Sequence, residues 1–292
     1  MRILLLGSGG QLGARLAELL PALGAVTALD RPQLDFNRPE SLPALLDAVR
    51  SDIIVNAAAY TAVDRAESEP ELARRLNAEA PAVLAESARR HGSLLVQYST
   101  DYVFDGTARA PYDEQVPTAP LGVYGATKLA GEQAIRASGA AHLILRTAWL
   151  YSNRGHNFFK TMLKLAAERD RLRVVDDQIG SPTYADLVAA ATVDMLRQLF
   201  QTGGLDATRT GTYHVACAGR ASWCGFARRI VARAALSDRV QVEAITTAEY
   251  PTPARRPAWS VLDCGKLARD FGIRLPDWEQ GLEQCFADRA HE

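Results

Sequence analysis

Short apolar runs alternate with amphipathic stretches along the first half of the chain. The runs are of strand length, and the stretches between them place apolar residues at helical spacing. Predicted strands cover 3–6, 25–29, 52–59, 94–96 and 142–146, and predicted helices cover 12–23, 44–49, 71–90 and a segment opening at Tyr124. Repeated strand–helix alternation predicts an α/β fold with a Rossmann-type, doubly wound parallel sheet that binds ligands at the carboxyl ends of its strands.

The alternation loosens after Thr147. Strands are predicted at 172–175 and 212–216, and helices at 157–169, 185–200, 223–235, 262–271 and 278–286, with Ser222 as a cap of the third. A turn-rich loop at 177–183 and a proline-rich stretch at 248–259 separate them. This half predicts a smaller α/β lobe that lies over the ligand-binding cleft and is assembled from noncontiguous pieces.

A glycine motif follows the first predicted strand and opens the first helix. Gly7, Gly10 and Gly13 are spaced three residues apart. Glycines in this context allow a tight turn, close approach of backbone N–H groups to a pyrophosphate, and near contact of helix and strand. The helix amino terminus adds partial positive charge. We therefore predict a dinucleotide-binding domain over 1–147, with some later segments returning to it, and mainly a substrate-binding lobe over 148–292.

The residues after the second strand bear on the choice of dinucleotide. Asp30 ends that strand, where a carboxylate suits the adenosine ribose diol, whereas the adjacent Arg31 suits a 2′-phosphate. These two residues leave NADH and NADPH both open. Asp35 and Phe36 follow at a second turn, where they either flank the adenine or form a plain loop.

Small side chains end the third strand at 57–59 and let a cofactor lie close to the backbone. Tyr60 and Thr61 then border the predicted cleft. Asn77, inside the following helix, is either a buried bracket or a surface residue.

Tyr124 and Lys128 form the main candidate for chemistry. Four residues apart on a helix, they share one face, so the ammonium can lie beneath the phenol oxygen. A nearby cation draws the phenol pKa down from about 10 toward the working range of a proton donor. The fourth strand runs into Ser99 and Thr100, whose hydroxyls can hold a substrate oxygen beside the tyrosine. A Tyr–Lys pair alone also fits a solvated helix face, but the glycine motif favours catalysis.

Composition narrows the partners. The 292 residues are 48% apolar, with 33 basic and 34 acidic side chains and a net charge of −1, which argues against nucleic acid and for a small-molecule partner. No segment approaches the roughly 18 apolar residues of a membrane span, so we expect a soluble, cytoplasmic protein with no membrane partner. The four cysteines lack metal-ligand spacing and predict reduced, buried thiols, with no metal in the site.

Six sequence strings together indicate a family. They are GSGGQLG at 7–13, VNAAAYTAVD at 55–64, STDYVF at 99–104, YGATKLAGE at 124–132, RTAWLY at 146–151 and DQIGSPT at 177–183. With these strings, the chain resembles the extended short-chain dehydrogenase/reductase superfamily, and within it the dTDP-4-dehydrorhamnose reductase family. The likeness covers essentially the whole chain in order. The resemblance implies NADPH- or NADH-dependent reduction of the C4 ketone of a dTDP-linked keto-sugar to dTDP-L-rhamnose, for bacterial surface polysaccharides.

The resemblance also implies residue roles. Tyr124 would protonate the developing alkoxide, Thr100 would hydrogen-bond the same oxygen, and Lys128 would lower the tyrosine pKa and hold the nicotinamide ribose. The implied dinucleotide contacts, besides Tyr124 and Lys128, are Gly7, Gly10, Gln11, Leu12, Asp30, Asp35, Phe36, Ala59, Tyr60 and Thr61, and the implied sugar contacts are Thr100, Asp101, Tyr102 and Trp149.

One departure from the family pattern concerns assembly. Some members hold Mg²⁺ at a dimer contact with acidic residues, one of them on the first helix, where this chain has Arg15. The sequence therefore leaves both Mg²⁺ and a homodimer open.

Further candidates serve the substrate's diphosphate and base. Arg154, Lys160, Arg255 and Arg256 are cations in the second half, and the last two are preferred because they lie in an irregular loop. Trp223 and Trp259 either stack on thymine or fill the core of the lobe.

Two other functions stay open at this point. A noncatalytic, dinucleotide-binding regulatory subunit would keep the fold without turnover. A nucleotide-sugar epimerase or dehydratase would regenerate its cofactor rather than consume it.

Overall fold

The computed structural model of the chain describes residues 1–33, 35–201 and 203–289. The strands are β1 (Arg2–Leu6), β2 (Ala25–Leu29), β3 (Ile53–Asn56), β4 (Leu94–Thr100), β5 (His142–Thr147), β6 (Leu150–Tyr151), β7 (Arg171–Val175), β8 (Ile179–Gly180), β9 (Thr183–Tyr184), β10 (Gly211–His214), β11 (Ala221–Ser222) and β12 (Gln241–Ile245). The α-helices are α1 (Gln11–Leu19), α2 (Leu42–Val49), α3 (Val63–Ala66), α4 (Pro70–Arg74), α5 (Ala80–His91), α6 (Val123–Ser138), α7 (Phe158–Glu168), α8 (Ala185–Leu199), α9 (Trp223–Arg233), α10 (Gly265–Phe271) and α11 (Trp278–Arg289).

A central sheet of parallel strands confirms the predicted fold class. Among the described residues its order is β10-β5-β4-β3-β1-β2, six strands in all. From β1 the chain passes to β2 on one side and then to β3 on the other side of β1. The direction in which successive strands are added to the sheet therefore changes at β1. Ligands bind at such a switch point in open α/β sheets, at the carboxyl ends of the strands.

Alternating side chains of the buried strands supply two separate cores. Leu5, Val55 and Val96 face α1 and α8, whereas Leu4 and Ile54 face α2 and α5. Successive residues of a strand point to opposite faces, which explains why these runs are continuously apolar in a sheet covered on both sides. Each fully buried leucine contributes roughly 1.5–3 kcal/mol.

Segments from the second half complete this first body. β10 pairs with β5 in parallel, Thr212 lying opposite Ile144. Helix α8 packs on the same face of the sheet as α1, and Leu267 and Phe271 of α10 join that core. The sequence predicted a strand at 212–216 without its partner, because local patterning does not encode pairing.

The remaining elements form the smaller lobe. Its short sheets pair β7 with β12, β6 with β9, and β8 with β11. Its core lies among α7, α9 and α11 and includes Phe159, Phe226 and Leu282. Residues 290–292, the end of the predicted lobe, lie outside the described residues.

The helix predicted over 71–90 is three consecutive helical pieces. Helix α4 ends at Arg74, a single π-helical turn spans Arg75–Glu79, and α5 continues to His91, where Gly92 at φ +68° ends it. The π turn holds Asn77, and such turns often mark functional positions. Of the helices described, none combines the length and apolarity needed to cross a membrane.

Candidate active site

The glycine loop between β1 and α1 is shaped by contacts that exclude side chains. Gly7 has φ +81°, and a Cβ on it would lie 2.7 Å from the backbone nitrogen of Ala58. A Cβ on Gly13 would lie 1.9 Å from the carbonyl oxygen of Gly7. Gly10 precedes the first turn of α1 in extended conformation. The loop thus consists of closely packed backbone at a helix amino terminus, which fits a dinucleotide pyrophosphate.

Asp30 is joined to this loop. Its carboxylate accepts the N–H of Gly9 at 2.6 Å and the N–H of Arg31 at 2.8 Å. The carboxylate therefore lies beside the glycine turn, where the sequence places a ribose contact. Asp35, one turn further, accepts the N–H of Asn37 at 2.9 Å.

Three of the predicted dinucleotide contacts have side chains directed elsewhere. Leu12 and Phe36 are 5% and 7% exposed, and they belong to the two apolar cores on opposite faces of the sheet. Gln11 points toward the smaller lobe, where its Oε1 accepts from Ser152 and Asn157 at 3.0 and 2.7 Å. Leu12 and Phe36 are thus largely buried, and their contacts with a dinucleotide stay predictions.

Asn77 joins the end of β3 to the helix that contains the Tyr–Lys pair. Its Oδ1 accepts the N–H of Tyr60 at 2.9 Å, and its Nδ2 donates to Tyr60 O at 3.0 Å and to Thr127 Oγ1 at 3.2 Å. Of the two roles left open by the sequence, Asn77 is the buried bracket. Ala59 is partly buried and Thr61 is exposed on either side of Tyr60. The Tyr60 hydroxyl donates to Glu69 at 2.6 Å.

Tyr124, Thr100 and Asp101 meet at the carboxyl end of β4. The Tyr124 hydroxyl lies close enough to the side chain of Thr100 for that side chain to oppose the effect of burial, which raises the pKa of Tyr124 to about 12. Thr100 Oγ1 donates to Asp101 Oδ1 at 3.0 Å and accepts the N–H of Tyr102 at 3.2 Å. Burial raises the pKa of the Asp101 carboxyl to about 7, against the opposing effects of Ser260 and Thr100. Because the pKa of Tyr124 is about 12, its hydroxyl is protonated at neutral pH.

Lys128 is buried one helical turn beyond Tyr124. Its Nζ donates to the carbonyl oxygen of Tyr98 at 2.6 Å. Burial lowers the pKa of Lys128 to about 8, and the negative charge of Glu132 acts in the opposite direction. Glu132 is itself held by Arg146, whose Nη2 lies 2.7 Å from its Oε2. The sequence expectation that Lys128 lowers the Tyr124 pKa stays a prediction, because burial dominates the Tyr124 pKa here.

A cleft opens beside Tyr124. Its lining residues come from both bodies and are Val63, Glu67, Tyr102, Phe104, Leu121, Gly122, Tyr124, Gly125, Ala254, Arg255 and Pro257. The ring of Tyr102 meets that of Tyr124 edge to face, with centroids 5.9 Å apart. The cleft thus places the tyrosine hydroxyl where a ligand held by the smaller lobe can reach it.

Trp149 borders the smaller lobe in a constrained conformation. It has φ +46°, and its indole stacks on that of Trp223 with centroids 3.5 Å apart. A Cβ on Gly180 would lie 2.3 Å from Trp149 Cε2. Trp223 therefore stacks on another indole, an arrangement that the sequence did not indicate. Trp259 donates its Nε1–H to the carbonyl oxygen of Ala110 at 3.0 Å.

The candidate phosphate-binding cations differ in their contacts. Arg256 pairs with Asp64 at 2.7 Å, and Arg154 pairs with Glu18 at 2.7 Å. Lys160 is exposed on α7, and Arg255 is exposed at the cleft. The sequence analysis did not identify Asp64 as the partner of Arg256, although Asp64 ends the string at 55–64. No local sequence pattern joins residues so far apart.

Arg15 forms ion pairs within this chain. Its guanidinium lies 2.6 Å from Glu18 and 3.1 Å from Asp186 of α8. In the described part of the chain, no three His, Cys, Asp or Glu side chains are grouped as metal ligands.

Comparison with known proteins finds relatives that match nearly the whole length of the chain. Residues 1–291 match the family model of the RmlD substrate binding domain. A dTDP-4-dehydrorhamnose reductase of Burkholderia thailandensis is 46% identical, with 99% of each chain covered. The crystal structure of such a reductase from Clostridium acetobutylicum has a TM-score of 0.92 at 35% identity, covering 99% of this chain and 100% of that one. The one from Bacillus anthracis, in complex with NADP, has a TM-score of 0.90 at 38% identity, with 98% and 99% covered.

Proposed function

Because this chain belongs to the RmlD substrate binding domain family, we propose that it is a dTDP-4-dehydrorhamnose reductase. It reduces the C4 ketone of dTDP-4-dehydro-L-rhamnose to dTDP-L-rhamnose and so supplies an activated sugar for bacterial surface polysaccharides. The observation that supports this best is that Tyr124, which lines the cleft bordered by both bodies, has the side chain of Thr100 beside it and Lys128 one helical turn behind it.

The glycine loop and Asp30 are the groups that would hold the dinucleotide, and their fit rests on the excluded Cβ positions and the Asp30 contact to Gly9. A bound reduced nicotinamide supplies the hydride. The NADP complex of the Bacillus anthracis relative favours NADPH, and the Asp30 carboxylate keeps NADH as a second donor to be tested.

Tyr124 is the proton donor in this proposal. A phenol whose pKa is about 12 holds its proton throughout the neutral range, so it is in the form that a donor requires. Thr100, whose side chain lies beside the Tyr124 hydroxyl, would hydrogen-bond the same substrate oxygen. The Lys128 ammonium, on the same helix, favours the phenolate that proton transfer leaves. Preorganised groups of this kind lower a barrier by several kcal/mol, about 2.7–4 kcal/mol for one donor.

The residues around Tyr124 favour a reductase over a dehydratase and over a noncatalytic regulatory subunit. Asp101 and Tyr102 follow Thr100, so the position after Asp101 lacks the second acid that a dehydratase uses beside its tyrosine. A regulatory subunit has no need of an intact Thr100, Tyr124 and Lys128 set.

The test is consumption of reduced nicotinamide by the purified protein. dTDP-4-dehydro-L-rhamnose is generated in place, and NADPH and NADH are supplied in parallel reactions. We expect loss of the reduced-nicotinamide absorbance in an amount equal to the keto-sugar added. Dinucleotide binding without consumption would support the regulatory subunit, and product formation without net consumption would support an epimerase or dehydratase.

A further inference from the structure

Residues 252–257 form a loop of the smaller lobe that borders the cleft. Ala254, Arg255 and Pro257 all line the cleft beside Tyr124. Pro257 is seated on Gly106, where φ is +75° and an added Cβ would lie 2.5 Å from the proline Cβ. This contact anchors the loop at its carboxyl end.

Asp64, which belongs to the first body, holds the middle of the same loop. Its Oδ1 accepts the N–H of Ala254 at 3.2 Å, and its Oδ2 accepts from Arg256 Nη2 at 2.7 Å. The Arg256 side chain is 17% exposed, and its Nη1 is buried without a hydrogen-bond partner among the described residues. Asp64 therefore supplies the ion pair that offsets the burial of this guanidinium.

Arg255 and the adjacent Arg256 therefore make different contacts. Arg256 turns toward Asp64, whereas Arg255 is exposed at the cleft and makes no hydrogen bond or ion pair within the described ranges. Arginine binds phosphate oxygens with two parallel N–H groups. The fixed loop thus leaves one guanidinium available to an anionic ligand in the cleft.

We propose that Asp64 is a positioning residue for the substrate: through Arg256 and the Ala254 backbone it fixes the 252–257 loop, so that Arg255 meets the diphosphate of the nucleotide sugar. This inference rests on the proposed function for the identity of the ligand. The arrangement of the loop itself does not depend on that function.

The chain offers a matched control for Asp64. Asp52 is also 41% exposed and accepts a backbone N–H and a guanidinium N–H, both from Arg2, at 2.7 and 2.9 Å. Asp52 precedes β3 and so lies at the opposite end of the sheet from the cleft. Asp52→Asn removes the same charge and hydrogen-bonding pattern away from any substrate.

The experiment compares Asp64→Asn, Arg255→Gln and their double variant with Asp52→Asn. For Asp64→Asn we expect KM for the nucleotide sugar to rise about tenfold or more, with the dinucleotide Kd within twofold of the parent. Arg255→Gln is expected to raise KM similarly, and the double variant is expected to add little. Asp52→Asn is expected to leave KM and Kd within twofold.

Hydrogen exchange of the 252–257 peptide tests the loop without substrate. Asp64→Asn is expected to speed exchange at the Ala254 amide, whereas Asp52→Asn leaves it unchanged. Unaltered exchange together with an unaltered KM would overturn the inference, as would fully additive effects of the two cleft substitutions. If the parent protein consumed no reduced nicotinamide, the proposed function would fail, and the exchange result would still decide the role of Asp64 in the loop.

Discussion

The Nζ of Lys128 lies 2.6 Å from the carbonyl oxygen of Tyr98, so the buried ammonium is held by the backbone of β4. Tyr98 lies two residues before Thr100 on that strand, and Lys128 lies four residues after Tyr124 on α6. The contact therefore fixes α6, which carries the proposed proton donor Tyr124, against β4, which carries the hydroxyl of Thr100. It joins the two elements of the proposed catalytic site through a side chain that also provides charge.

Removal of the Tyr124 hydroxyl tests the proton donor. Tyr124→Phe is expected to lower kcat by about 10²–10⁴-fold, the usual range for general acid–base catalysis. Dinucleotide Kd, measured by fluorescence titration, is expected to stay within twofold because the ring and helix remain. A variant with the parent kcat would exclude Tyr124 as the donor.

The charge of Lys128 predicts a pH dependence. Because its pKa is lowered to about 8, the ammonium is lost as pH rises through that value, and kcat/KM of the parent is expected to fall there. Lys128→Met is expected to lower kcat/KM about 10²-fold or more and to abolish this alkaline limb. The control is Lys164→Met, an exposed lysine of α7. An alkaline limb that persisted in Lys128→Met would assign it to another group.

Asp101 predicts a stability that depends on pH. Its pKa is about 7 in the folded protein and about 3.9 in an unfolded chain, so its proton stabilises the fold at low pH. This contribution is lost progressively as pH rises from about 3.9 to about 7, because over that range the unfolded chain releases the proton that the folded chain still holds. The free energy of unfolding of Asp101→Asn is therefore expected to exceed that of the parent by roughly 1–3 kcal/mol at pH 8, and by less at pH 5. Urea unfolding at both pH values measures it, and an equal difference at the two would contradict the assignment.

The absence of a side chain at Gly180 leaves room for the indole of Trp149, so a substitution at Gly180 tests the position of that indole. The Cβ of Gly180→Ala would meet the indole at 2.3 Å, so the stack on Trp223 is expected to shift. We expect the near-ultraviolet circular dichroism of the stacked indoles to change and KM for the nucleotide sugar to rise roughly tenfold, about 1.4 kcal/mol. Gly204→Ala is the control, since an added Cβ there meets nothing within 4 Å. An unchanged spectrum in Gly180→Ala would show that the stack tolerates the methyl group.

Several features of this protein follow from the sequence alone. Period-two and continuous apolar runs predicted the strands of the sheet, and β2 was placed residue by residue at 25–29. The cap at Ser222 was also predicted, and its Oγ accepts the N–H of Gly225 at 2.8 Å. These features are local, since they depend on neighbours within one or two turns of the chain. The six strings, which lie between residues 7 and 183, identified the family that the comparisons then confirmed.

Other features were decided only by the tertiary structure. The pairing of β10 with β5, the bracket from Asn77 to Tyr60, the Trp149 stack and the bond of Asp64 to Arg256 each join residues far apart in the chain. Burial, which raises the Tyr124 pKa and lowers that of Lys128, is likewise a property of the packed molecule. Sequence determined which chemical groups are present, and packing determined which groups meet and how far water is excluded from them, because contact and desolvation arise only when distant segments are brought together.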